Sequence, residues 1–235
     1  MGLSDVKAFA FDVFGTVVDW RGSLIREGEA LGREKGIPLD WAALADAWQA
    51  GKEPALERIR AGGAPWSTLD AVHRARLDVI LAQAGAAGLD EEEKDRLNRA
   101  WHRLAPWPDS VPGLARLKRR GVVSAFSNGN FALLVNMARH AGLPWDCVIS
   151  ADLFRRYKPA PELYLGAAEL LGLPPEEVMV AAAHEGDLRA ARANGLKTAY
   201  VARPLEFGPG KHAEPAEMWD VMASGIEDLA GKLGA

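Results

Sequence analysis

Residues 9–20 read "FAFDVFGTVVDW", an apolar run that enters an aspartate, Asp12, turns through Gly15-Thr16 and closes on Asp19-Trp20. A run that is apolar throughout suits a strand covered on both faces of a parallel sheet. A carboxylate at the end of such a strand is costly unless a cation or hydrogen-bond donors meet it. The stretch therefore asks what lies opposite Asp12, and why Phe14 follows it instead of another polar group.

Working outward, similar short runs occur at 7–11 "KAFAF", 121–126 "GVVSAF", 147–150 "CVIS", 178–183 "VMVAAA" and 198–201 "TAYV". Between the last four lie segments with apolar residues three and four apart, at 131–142, 161–172 and 187–195. Each closes on a glycine, the residue suited to a left-handed C-cap. This alternation predicts an α/β fold with a doubly wound parallel sheet, whose ligand site lies beyond the carboxyl ends of its strands.

The interval from Asp19 to Trp107 breaks that rhythm. It carries helical patterns at 23–36, 41–63, 67–85 and 90–104, with Asp40 or Leu39, Ser67 and Asp90 as N-cap candidates. This is too much helix for a simple crossover. The expected organisation is a helical cap domain, 19–107, inserted into a core domain made of 1–18 and 108–235. Such a cap would cover the sheet's carboxyl edge and exclude water there. Residues 203–215, "RPLEFGPGKHAEP", read as a Pro/Gly-rich loop after the last strand.

Composition narrows the functional classes. The 235 residues are 49% hydrophobic and 26% charged, which is globular and not disordered. A net charge of −4 and a pI near 5.8 argue against a nucleic-acid partner, for which no basic surplus exists. No apolar stretch is long enough to span a membrane, and the N-terminus lacks a signal-like pattern, so a soluble cytoplasmic protein is expected. The single cysteine, Cys147, rules out an intramolecular disulfide and reads as a buried thiol.

The polar residues at the predicted strand ends form a constellation. Strand one delivers Asp12 and Thr16, strand two Ser127 and Asn128. Lys158 precedes the helix at 161, and the fourth strand runs into His184 and Asp187. A carboxylate nucleophile needs a nearby cation to stay ionised, with hydroxyl or amide donors to hold it or its substrate.

"DVFGTVVD", "SNGN", "YKP" and "AAHEGD" together resemble the motifs of the haloacid dehalogenase superfamily, in order and in spacing. The chain is most similar to the (S)-2-haloacid dehalogenase branch, type II, over nearly its whole length. The resemblance implies a haloacid-dehalogenase-like core with an inserted helical cap. Superfamily phosphatases carry Asp-x-Asp in the first motif and two acids four apart in the fourth. Here those places hold Phe14 and, for the first of the two acids, Ala183. No metal and no cofactor are therefore expected.

The implied activity is hydrolysis of a small (S)-2-haloacid to the (R)-2-hydroxyacid. Asp12 would displace the halide and form an ester, which water would then cleave. By the same resemblance Lys158 would counter the negative charges, and Thr16 would orient Asp12. Ser127 and the backbone amides after Asp12, at Val13 and Phe14, would take the substrate carboxylate. Asn128 would contact carboxylate or halide, Phe14 would shield the nucleophile, and Asp187 would position or activate the water.

Two departures stand out. Family members carry a Trp-Arg pair in the cap, with the arginine facing the halide; here the matching pair is Trp48-Gln49, with Arg58 or Arg60 as nearby cations. His184 replaces an asparagine, either as a general base in ester hydrolysis or as a hydrogen-bond partner of a neighbouring loop. Tyr164 either points back to the site or packs its helix, and Trp48 and Trp66 either touch substrate or pack the cap. His73, His102, His140 and His212 show no metal-ligand spacing. Two other functions compete: a related hydrolase acting on a phosphate monoester or a strained ring amine, and a weakly active carboxylate-binding member. The eight tryptophans and the helical cap favour a homodimer.

Overall fold

Asp12 is carried by the central region of a six-stranded, all-parallel sheet in the computed structural model, which describes residues 2–86, 88–211 and 214–235. His212 and part of the expected loop 203–215 lie outside the described residues. The strands are β1 (Ala8–Phe11), β2 (Val18–Asp19), β3 (Ala105–Pro106), β4 (Val122–Ser127), β5 (Cys147–Ser150), β6 (Val178–Ala182), β7 (Lys197–Val201) and β8 (Val221–Ala223). The large sheet runs β5-β4-β1-β6-β7-β8, while β2 and β3 pair antiparallel as a separate ribbon.

All five expected strands are present to within a residue at each end. The apolar residues of β1 and β6 are buried along the whole strand, as a sheet covered on both faces requires. Neither β8 nor the β2–β3 ribbon was readable from pattern, because strands of two or three residues carry no period.

Five helices fill the stretch between β2 and β3: α1 (Trp20–Lys35), α2 (Trp41–Ala50), α3 (Lys52–Arg60), α4 (Leu69–Gln83) and α5 (Glu91–Asn98). The pattern at 41–63 is two helices, broken at Gly51. Pro54 sits in the first turn of α3, where its missing N–H leaves no helical bond unmade. Asp40 and Asp90 cap as expected, accepting from Ala43 N and Glu93 N at 2.9 Å each. For α4 the cap is Thr68, one residue beyond Ser67. Asp19 caps α1 by accepting from Gly22 N at 2.8 Å.

The remaining helices, α6 (Ser110–Leu117), α7 (Phe131–Ala141), α8 (Pro161–Leu171), α9 (Glu185–Ala193) and α10 (Ile226–Lys232), flank the sheet. Gly142 and Gly172 close α7 and α8 in the left-handed conformation. Within the helical layer, Trp20, Trp48 and Trp101 are buried together, and the His73 ring stacks on Trp101 at 4.0 Å.

Polar links among the described residues hold this layer to the sheet side, these among them. Asp70 donates its N–H to Asn130 Oδ1 at 3.1 Å, and its carboxylate accepts from Asn130 Nδ2 at 2.9 Å. The Tyr157 hydroxyl donates to Ser67 O at 2.6 Å. Arg60 Nη1 donates to Lys158 O at 2.9 Å. No helix among the described residues is long and apolar enough to cross a membrane.

Candidate active site

Strand β1 has β4 on one side and β6 on the other, so chain crossings diverge on either side of it and open a crevice at its carboxyl end. Asp12 is the first residue beyond β1, pinned by its N–H to Ala181 O at 3.0 Å. The chain then turns at Gly15, with φ +85°; a β-carbon there would strike the Glu206 carboxylate, so only glycine fits on both counts. The carbonyls of this turn are all engaged: Gly15 O by Trp107 Nε1 at 2.8 Å, Thr16 O by Arg203 Nε at 2.7 Å, and Val17 O by Ser110 Oγ at 2.7 Å.

Thr16 lies behind Asp12 and is fully buried. Its hydroxyl donates to Asp12 Oδ2 at 2.9 Å and accepts from Ala183 N at 2.9 Å, tying the end of β1 to that of β6. Asp12 Oδ2 also meets His184 Nδ1 at 3.0 Å, whereas among the described residues Oδ1 has only Lys158 Nζ, at 3.5 Å. Burial by itself would raise the Asp12 pKa. Lys158, His184 and Thr16 outweigh it and hold the carboxyl well below the usual carboxylate range.

Lys158 bridges the two acids. Its Nζ donates to Asp187 Oδ2 at 2.6 Å and stands 4.1 Å above the Phe126 ring. The other oxygen of Asp187 accepts from the Tyr164 hydroxyl at 2.6 Å. Burial and the Asp187 charge raise the Tyr164 pKa far beyond the physiological range, so Tyr164 serves as a donor. This donor set does not suit a divalent ion: the Lys158 ammonium joins the two acids, and each oxygen of Asp187 already accepts one hydrogen bond. Among the described residues no group of three or more His, Cys, Asp or Glu side chains is placed to hold a metal ion.

His184, the N-cap residue of α9, does not turn to Asp187 for orientation. Its partners are Asp12 and, through Nε2, Glu206 Oε1 at 3.0 Å. Burial opposes a charged ring, yet the hydrogen bonds to Asp12 and Glu206 raise its pKa to about 10. Its place between the two acids favours the charged ring. Glu206 is 3% exposed and also accepts from Trp20 Nε1 at 3.1 Å. Sequence reasoning missed it; the only signal was a lone acid between Leu205 and Phe207 in a loop.

These side chains line a cavity of about 430 Å³ between the sheet edge and the helical layer. Asp12, Phe14, Ser127, Asn128, Lys158, Tyr164, His184 and Asp187 face it from the sheet side, and Gln49 faces it from the helical layer. Ser127 Oγ accepts from Gly129 N at 3.1 Å, and Asn128 Oδ1 accepts from Lys158 N at 2.8 Å. The Val13 side chain is buried outside the cavity, but the amides of Val13 and Phe14 have no acceptor among the described residues.

Other expected contacts lie elsewhere. Trp48 packs inside the helical layer and donates to His73 O at 2.8 Å. Trp66 stacks on Tyr157 at 4.6 Å. Arg58 lines a separate groove between α3 and α4, and Arg60 is held by Glu53 and Glu57. Lys52, which the sequence reading did not single out, lines the cavity beside Gln49.

An ionised, hydrogen-bonded acid with one open oxygen, set among donors for an anion, can attack an electrophilic carbon. Comparison with known proteins agrees with that chemistry. The pattern of the haloacid dehalogenase-like hydrolases matches residues 6–195. The L-2-haloacid dehalogenase PA0810 is 50% identical, with a TM-score of 0.94 over 97% of this chain and 99% of that one. The defluorinating L-2-haloacid dehalogenase Rha0230 is 46% identical, with a TM-score of 0.95 over 98% and 96%. The L-2-haloacid dehalogenase of Xanthobacter autotrophicus with chloropropionic acid covalently bound is 26% identical, with a TM-score of 0.81 over 98% and 99%.

Proposed function

Because this chain belongs to the haloacid dehalogenase-like hydrolases, we propose that it hydrolyses small (S)-2-haloacids to (R)-2-hydroxyacids through an ester on Asp12. The observation that carries this reading is the inequality of the two Asp12 oxygens. Oδ2 is held by Thr16 and His184, while among the described residues Oδ1 has Lys158 alone, at 3.5 Å, and is the oxygen left for the substrate.

In the first step Oδ1 attacks carbon 2 opposite the halogen, and the carbon–halogen bond breaks with inversion. No leaving atom requires a proton, which is consistent with Phe14 where a phosphatase carries an acid. Ser127 and the open amides of Val13 and Phe14 receive the substrate carboxylate, with Asn128 beside them. Lys158 balances Asp12 and Asp187. The helical segment 19–107 acts as a cap that keeps water from the nucleophile.

In the second step water attacks the Asp12 carbonyl carbon, and negative charge gathers on Oδ2. The Thr16 hydroxyl and the His184 imidazolium already point at that atom, an arrangement that stabilises an oxyanion without reorganisation. Asp187, fixed by Lys158 and Tyr164, accepts the water's proton; the adduct then collapses, the bond from the Asp12 carbonyl carbon to Oδ1 breaks, and that proton passes to Oδ1 as it leaves as the product's hydroxyl. His184 thus serves as a donor to the developing charge, and Glu206 keeps it protonated. The same reading carries a cytoplasmic homodimer, tested by light scattering after size exclusion.

The test is halide release from a panel of haloacetates and (S)- and (R)-2-halopropionates, with and without chelator. Release from the (S)-acids, unaffected by chelator, is expected. A mass shift on the Asp12 peptide after quenching identifies the ester. Absence of halide from every compound overturns the reading, and magnesium-dependent phosphate release would replace it.

A further inference from the structure

In-line displacement sends the leaving group to the side of the carbon opposite its attacker. Asp12 attacks from the sheet side, so the halide departs toward the helical layer. There the place of the family's arginine is held by Gln49, which is uncharged and whose Oε1 is buried without a partner among the described residues. Arg60 is occupied by Glu53 and Glu57, and Arg58 faces a different groove.

Lys52 is the first residue of α3, three positions beyond Gln49, and it lines the same cavity. Its Nζ stands 6.0 Å from the centre of the Phe14 ring. Among the described residues it has neither a hydrogen bond nor an ion pair, and the acids that act on it, Asp12, Glu53 and Glu206, do so at longer range.

We propose that Lys52 is the halide-binding residue of this site, receiving the leaving group with the positive charge that Gln49 lacks. The inference rests on the dehalogenase reading above. As the Oδ1–carbon bond forms, the halide takes the bonding pair of the carbon–halogen bond. Asp12 loses its charge and the halide gains it, so one negative charge crosses the cavity from sheet to helical layer. Lys158 and His184 face the end it leaves, and Lys52 faces the end where it arrives.

The charge balance supports the assignment. Asp12, Asp187 and Glu206 are offset by Lys158 and the His184 imidazolium, and Glu53 is paired with Arg60. Without Lys52 the acids exceed the cations before an anionic substrate has entered. Burial disfavours the charged form of Lys52 while Asp12, Glu53 and Glu206 favour it, and an arriving anion adds to their effect.

The experiment compares wild type with Lys52→Met and Lys52→Arg in rapid-quench single turnover of bromo-, chloro- and fluoroacetate, alongside inhibition by added bromide. Lys52→Met is expected to slow ester formation by about 10²–10³-fold, to lose bromide inhibition and to leave hydrolysis of the formed ester unchanged. Lys52→Arg is expected to keep most of both properties. If Lys52→Met does not fold, as judged by thermal melting, Lys52→Gln reads the loss of charge in its place. Wild-type ester formation and bromide inhibition in the neutral variant overturn the assignment. So does a raised KM at unchanged kcat, which would make Lys52 a carboxylate contact. Wild type releasing no halide overturns the function itself, a failure visible before any variant is made.

Discussion

Glu206 accepts a hydrogen bond from His184 Nε2 at 3.0 Å, across 22 residues of chain, while the opposite ring nitrogen lies 3.0 Å from Asp12. The ring is therefore fixed in plane by two acids from different segments of the chain, which together favour its charged form. Placed this way it donates to the nucleophile's Oδ2 and has no free nitrogen with which to take a proton from water.

This arrangement sets a pH dependence. The His184 pKa is raised, from 6.5 to about 10, so its contribution to folding is full below pH 6.5 and is lost as pH rises through about 10. Histidine NMR titration should find the ring protonated to about pH 10. In Glu206→Gln the midpoint should fall, because one of the two anions that hold the proton is gone.

Removing the ring separates the two chemical steps. His184→Ala should slow ester hydrolysis by about 10²–10³-fold, the usual cost of losing one donor to an oxyanion. Ester formation should change far less. Single-turnover traces of covalent Asp12 should then show the ester accumulating.

Asp12→Asn removes the nucleophile while keeping the side chain's shape. Halide release should fall by roughly 10⁴-fold or more, and no mass shift should appear on the Asp12 peptide. Thermal melting distinguishes this from loss of folding.

Thr16→Val keeps the volume of a fully buried side chain but removes its hydroxyl. The Ala183 N–H then loses its acceptor, and Asp12 Oδ2 loses a donor. Stability should drop by about 1–3 kcal/mol, the penalty of a buried unpaired polar group, measured by urea unfolding. Ester hydrolysis should slow in parallel.

Asp70→Ala removes the carboxylate half of the link between α4 and Asn130, together with the contact from His102 Nε2 at 3.0 Å, and leaves the backbone N–H of residue 70 on Asn130 Oδ1. About 1–3 kcal/mol of stability should be lost. If this link holds the helical layer over the cavity, KM should rise more than kcat falls.

Five of the sheet's six strands were readable because they are short apolar runs alternating with helical patterns that close on glycine, whereas β8 is too short to show a pattern. Asp12 and Asp187 were readable because each stands at the end of a regular element, and Lys158 because it lies in the "YKP" run shortly before α8. Glu206 was not: its loop follows turns at Gly208 and Gly210, both with positive φ, and such a course has no period. Trp48 matched a position but not a direction. The break at Gly51 fixes how α2 and α3 meet, and it brings Gln49 and Lys52 to the cavity while Trp48 stays in the layer's interior.

The unequal oxygens of Asp12 have an isotopic consequence. Oδ1 leaves with the product when the ester is cleaved, and an atom from water takes its place. In ¹⁸O-water the first hydroxyacid formed should therefore be unlabelled and later ones labelled. Since Thr16 and His184 hold Oδ2 through each cycle, the carboxylate does not rotate. Asp12 should carry one heavy atom, however many turnovers it completes, and keep its other oxygen from the ribosome onward.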